Sequence, residues 1–137
     1  MIVEGSFELT MHPDPPYDAV EGVTLARVRF DKRFTGPLEG TSEVNMIGAR
    51  TPIESSAGYV AIERVTGTLV GKRGSFVLMH TGLMTRGTLS LSVVIVPDSG
   101  TGELAGIFGA MKIVNQDGTH AYELDYELVR AHPDAGD

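Results

Sequence analysis

The chain has no cysteine and no tryptophan, and no apolar run approaches the roughly 18 residues that a membrane-spanning helix needs. Without cysteine there is no disulfide, no thiolate nucleophile and no cysteine-ligated metal. Basic residues are scarce, 11 Lys and Arg against 18 Asp and Glu, for a formal net charge of −7. That balance repels a phosphate backbone and argues against a nucleic-acid partner. The opening residues, Met1 to Gly5, lack the basic start and apolar core of a signal peptide, so no membrane partner is expected and the expected compartment is the cytoplasm. Helical periodicity is missing too: no window offers ten residues of it. There is no Ser-His-Asp order, no glycine-rich phosphate loop running into a helix and no metal-ligand spacing. The histidines at 12, 80, 120 and 132 are scattered. Neither a metal nor a cofactor is expected.

What the chain does have is alternation and turn chemistry. Its 17 glycines and 7 prolines are spread along 137 residues, of which 42% are hydrophobic and 21% charged. This favours one globular domain of many short strands over residues 1–130, with a disordered tail at 131–137. Val3 to Met11 alternates as a half-buried strand, and Pro13, Pro15 and Pro16 make residues 12–21 a loop. A second strand sets Ala26, Val28, Phe30 and Phe34 against Arg27, Arg29, Asp31 and Arg33. The dense basic run Arg27, Arg29, Lys32 and Arg33 reads as a solvated strand face. After a Gly36-Pro37 turn, a third strand sets Leu38, Gly40, Val44 and Met46 against Glu39, Thr41, Glu43 and Asn45. A hairpin of these two would place the three arginines across from Glu39 and Glu43.

Residues 48–57 form a second loop, and Tyr59 to Val65 a fourth strand. A turn at Thr66-Gly67 leads into a fifth, Leu69 to Met79, with a bulge at 71–74. Thr88 to Val96 is the sixth strand. Pro97 to Gly102 is a turn, and the seventh strand runs from Glu103 to Val114 with Gly102, Leu104, Gly106 and Phe108 on one face. Asn115 to Gly118 signals a hairpin into the eighth, where Tyr122, Leu124, Tyr126 and Leu128 point inward. Eight strands with short connections give an all-β fold, an eight-stranded antiparallel β-barrel in preference to a sandwich. A Gly-x-Leu-x-Gly pattern recurs at 36–40, 67–71 and 102–106, and paired glycines are what bending strands into a small barrel requires.

The segments Phe34 to Ser42, Gly58 to Gly67, Gly71 to His80 and Ser99 to Gly109 resemble the bacterial family of unknown function DUF3224, and the likeness covers nearly the whole chain. More distantly, Gly100 to Lys112 is similar to the glycine-rich hairpin of allene oxide cyclases and dirigent proteins. That resemblance implies an allene oxide cyclase-like barrel of lipocalin-like, calycin-type closure, with a central cavity and frequently a homo-oligomeric state. That likeness does not place the cyclases' working carboxylate on any residue of this chain.

His80 falls in register with Phe76 and Leu78, on a face that otherwise reads as core. It is either a satisfied structural histidine or a pocket acid or base. Glu63 shares a face with Tyr59 and Ala61, where it either pairs with an arginine or carries a raised pKa suited to proton transfer. Catalytic candidates are therefore Glu63, His80 and Tyr59, and ligand-binding candidates are Phe76, Leu78, Phe108, Tyr122 and Tyr126. Apolar residues on the second faces of strands five to seven, Val77, Met79, Val94, Val96, Ile107, Met111 and Ile113, suggest an outer surface covered by a second copy. Three readings stay open. They are a barrel binding an apolar or mixed small molecule, a cofactor-free cyclase or isomerase acting on an unsaturated or polyketide-like substrate, and a self-associating structural barrel with a filled interior.

Overall fold

In the computed structural model, which describes residues 1–116 and 118–129, all regular secondary structure among the described residues is β. The strands are β1 (Ile2–Pro13), β2 (Asp18–Val20), β3 (Val23–Thr35), β4 (Leu38–Arg50), β5 (Ala57–Leu69), β6 (Lys72–Thr85), β7 (Thr88–Ile95), β8 (Thr101–Gly102), β9 (Ile107–Gln116) and β10 (Thr119–Leu128). The eight long ones form a closed antiparallel barrel. β1 pairs with both β10 and β3, and β7 meets β9 at Val94 and Ala110, so the ring has no free edge. Among the described residues no helix is long and apolar enough to cross a membrane.

One end of the barrel is plugged. Leu38, Leu69 and Leu104, the central residues of the three Gly-x-Leu-x-Gly segments, are almost completely buried beside Phe34, Phe76, Leu78 and Tyr122. Gly40 and Gly67 face each other across β4 and β5, and a Cβ on Gly67 would stand 2.2 Å from the Glu39 carbonyl oxygen. The glycines thus let two strands cross closely where the leucines converge. Tyr122 ties β10 to the β3–β4 turn: its Oη accepts the Leu38 N–H at 3.0 Å and lies 3.2 Å from the Thr35 carbonyl oxygen.

Several expected boundaries move. The loop at 12–21 contains β2, which turns through Glu21-Gly22 to pair with β3. No turn occurs at Thr66-Gly67; β5 runs on to Leu69, and the reversal is at Val70-Gly71, so the expected bulge at 71–74 is instead this turn and the start of β6. The seventh long strand begins at Ile107, not Glu103. Residues 103–106 are a turn, closed by the Ile107 N–H on the Leu104 carbonyl oxygen at 3.1 Å, and β8 pairs with β6. A turn resets the alternation, so Ile107 and Met111 face the core and Phe108 faces out. The arginine–glutamate ladder does not form either. Register puts Arg33 opposite Thr41, Arg29 opposite Asn45 and Glu43 opposite Asp31, while Arg27 donates to Asn45 Oδ1 at 2.7 Å. The hairpin into β10 is present, with Gln116 opposite Thr119; Asp117 and the expected tail at 131–137 lie outside the described residues.

Candidate functional site

Above the leucine plug, four neighbouring strands each turn one polar side chain inward. Lys32 lies between Phe30 and Phe34 on the inner face of β3, Ser42 between Gly40 and Val44 on β4, Glu63 between Ala61 and Val65 on β5, and His80 between Leu78 and Gly82 on β6. Lys32 and Ser42 are direct cross-strand partners, and Glu63 sits one diagonal step from both Ser42 and His80. Those spacings bring the four side chains within reach of one another.

Glu63 is the hub and is completely buried. Its Oε1 accepts from His80 Nε2 at 2.7 Å and from Lys32 Nζ at 3.3 Å, and its Oε2 accepts from Ser42 Oγ at 2.5 Å. Burial alone would push its carboxyl up. Chiefly the hydrogen bond from His80, the charge of Lys32 and the hydrogen bond from Ser42 outweigh burial and hold its pKa below the ordinary 4.5. Glu63 is therefore an anion, and an anion only accepts, which assigns the proton to His80 Nε2. Among the described residues, His80 Nδ1 has no hydrogen-bond partner, and no buried polar side-chain atom is left unsatisfied. Lys32 is held a second way, with its Nζ 4.6 Å from the centre of the Phe7 ring and 5.8 Å from that of Phe34.

Two members of this cluster reach a cavity of about 190 Å³ inside the barrel. Lys32 and His80 line it together with Phe7, Leu9, Phe30, Val44, Met46, Tyr59, Ala61, Ile113, Asn115 and His120. His120 stacks on Phe7 with centroids 5.2 Å apart, and its Nδ1 is 2.6 Å from Asn115 Oδ1. Towards the open end, a second space of about 340 Å³ shares Met46 and Tyr59 with the first and is bounded by the Pro13, Asp14 and Pro16 segment. Tyr59 stands between the two. Burial, and then the charge of Glu63, raises its pKa above 10.0, so its phenol stays neutral.

The three catalytic candidates are thus brought to one place, with Glu63 and His80 bonded and Tyr59 on the wall above them. The ligand-binding candidates are not. Phe76, Leu78, Tyr122 and Tyr126 are packed in the core away from the cavity, and Phe108 is 47% exposed on the outer surface. Of the two fates foreseen for Glu63, the ion pair forms, with Lys32 rather than an arginine as its cation, and the raised pKa does not hold, since its pKa is lowered. Lys32 itself is only 8% exposed, not part of a solvated basic face. Lys32, Ser42 and His120 are the residues the alternation should have found, because each has the parity of inward neighbours already identified. No group of three or more His, Cys, Asp or Glu among the described residues could hold a metal ion.

Comparison with known proteins bears on the fold more than on the site. A family model described as "Protein of unknown function (DUF3224)" matches residues 3–126. A crystal structure of a DUF3224 protein of unknown function from Shewanella oneidensis MR-1 is similar, with 44% sequence identity and a TM-score of 0.90, over 95% of this chain and 98% of that one. No curated protein matches.

Proposed function

Because the chain belongs to the DUF3224 family, whose proteins are of unknown function, the reading must come from the cavity, and we propose that the barrel binds a small molecule of mixed polarity there. One observation carries this: a buried ion pair with its hydrogen-bonded partners borders a largely apolar, incompletely filled interior. Replacing buried ion pairs by packed apolar residues is commonly neutral or stabilising, so folding alone gives little reason to keep one. The filled-interior reading fits only the plugged end. The space beside the cluster, about 190 Å³, suits a compact occupant, and a longer one would have to extend past Tyr59 into the adjoining space of about 340 Å³. The test is ligand-observed NMR of a fragment mixture against the parent and an Ala61→Phe variant, which fills the cavity. Fragments that bind the parent and not the variant support the reading; equal binding to both overturns it.

A second reading, a cofactor-free isomerase or cyclase, draws support from the Glu63–His80 pair. A carboxylate that fixes the Nε2–H tautomer leaves Nδ1 as a base towards the cavity, with Tyr59 as a neutral donor nearby. His80→Gln retaining fragment binding while abolishing turnover of a candidate substrate is its expected signature. Unchanged turnover would sink it.

The lack of cysteine and the composition fit a cytoplasmic protein. Self-association also belongs to the proposal, on a face that shares only Met79 with the one the sequence suggests. Ile47, Val60, Ile62, Met79 and Leu83 are 42–63% exposed on adjoining outer rows of β4, β5 and β6, flanked by Glu43, Arg64 and Arg27. An apolar patch with both charge signs at its border suits an isologous contact with a second copy. A monomer by light scattering at high concentration would remove this element.

A further inference from the structure

We propose that the cavity's occupant is a compact monoanion, an aromatic or short branched carboxylate, and that its binding draws one proton onto His80. This rests on the binding reading above and narrows it. Size sets the first limit, because a cavity of about 150 Å³ already accommodates benzene, and about 190 Å³ leaves room for a ring bearing one small polar group. The walls give that ring Phe30, Val44, Met46 and Ile113 to pack against.

The polarity of the cluster sets the second limit. Lys32 carries three N–H donors and, among the described residues, spends one on Glu63. Glu63 has Oε1 shared between two donors and Oε2 taken by Ser42, and it does not line the cavity. Beyond the Glu63 bond and its seat over the Phe7 ring, the Lys32 ammonium keeps a donor without a hydrogen-bond partner among the described residues, and an acceptor such as a carboxylate suits it.

Charge balance sets the third. Lys32 and Glu63 cancel, so unless His80 is protonated an added carboxylate leaves one uncompensated negative charge beside the buried Glu63, which is costly. Protonation of His80 at Nδ1 restores neutrality and supplies a second charge-assisted donor to the carboxylate. The titratable or charged groups facing His80 are Lys32 on β3, Glu63 and Tyr59 on β5, and His120 on β10; from β7 its direct partner is Val93, which does not titrate. Lys32 and Glu63 are already charged and Tyr59 stays neutral. His120 has only the neutral Asn115 as its partner, whereas the His80 ring adjoins the Glu63 carboxylate at 2.7 Å, which stabilises an imidazolium there, so the proton goes to His80.

The experiment is isothermal titration calorimetry of the full chain with benzoate and with benzamide, its neutral counterpart, each in phosphate and in Tris buffer. Benzoate is expected to bind about tenfold tighter than benzamide, the scale of one additional charge-assisted contact. The buffer dependence of its heat should report uptake of close to one proton. In His80→Gln, with folding checked by circular dichroism, the uptake should vanish and the preference for benzoate shrink. Benzamide binding as well as or better than benzoate overturns the monoanion while the cavity reading survives. Proton uptake undiminished in His80→Gln overturns the role of His80. Failure of both probes to bind, together with fragments that bind the parent and the cavity-filled variant alike, overturns the proposal and the reading beneath it.

Discussion

Exchanging Glu63 for glutamine removes the negative charge at the centre of the buried cluster while keeping its shape. The amide still accepts a hydrogen bond, but the Lys32 ammonium, 8% exposed, is left without an anion. Removing one partner of a buried pair costs about 3–5 kcal/mol, and the retained hydrogen bonding puts this case near the lower figure. With a urea slope of about 1.5 kcal/mol/M, a loss of about 3 kcal/mol lowers the unfolding midpoint by about 2 M. Taking the lysine charge away as well, in Lys32→Met/Glu63→Gln, leaves no buried charge unpaired and should restore about 2 kcal/mol. With no tryptophan in the chain, far-ultraviolet circular dichroism is the suitable probe. A Glu63→Gln midpoint within about 0.3 M of the parent, or a double variant less stable than Glu63→Gln, would refute the reasoning that this pair is a mutually dependent buried unit.

Acid stability follows from the same carboxylate. Its folded pKa lies below its ordinary 4.5, so its contribution is fully present above that value and is lost as pH falls through the folded one. Urea midpoints measured from neutrality into that acid range should fall for the parent and fall less for Glu63→Gln. Val70 holds a φ of 47° in the Val70-Gly71 turn, a conformation poorly suited to a β-branched residue. Val70→Asn should raise stability by about 1 kcal/mol, or about 4 °C in Tm by calorimetry. Gly67→Ala would drive a Cβ into the Glu39 carbonyl oxygen at 2.2 Å and the Gly40 Cα at 2.6 Å. A loss of about 3 kcal/mol in thermal or urea unfolding is expected there.

The barrel was legible because two-residue alternation and turn residues run through the chain with few interruptions. Glu63 and His80 were legible as polar residues standing in apolar rows. Lys32, Ser42 and His120 obey the same alternation. A lysine inside a basic cluster looks solvated, however, until the register shows that Arg27, Arg29 and Arg33 point out while Lys32 points in. Phe108 failed for the opposite reason: the turn at 103–106 resets parity, and local pattern does not reveal which side follows a turn of unknown length. The Gly-x-Leu-x-Gly segments were read for their glycines, and the leucines between them prove to be the plug. What alternation could not supply was the meeting of four strands at Glu63, which depends on the register of each strand against the next.

The most direct test of the central claim, that Glu63 presents His80 and Lys32 to a ligand, is the nitrogen spectrum of the histidine rings in ¹⁵N-labelled protein, recorded before and after saturation with benzoate. His80 should appear first as the Nε2–H tautomer with a bare Nδ1, and then as a doubly protonated ring. An Nδ1–H tautomer in the free protein, or a His80 ring unchanged at saturation, would contradict the account.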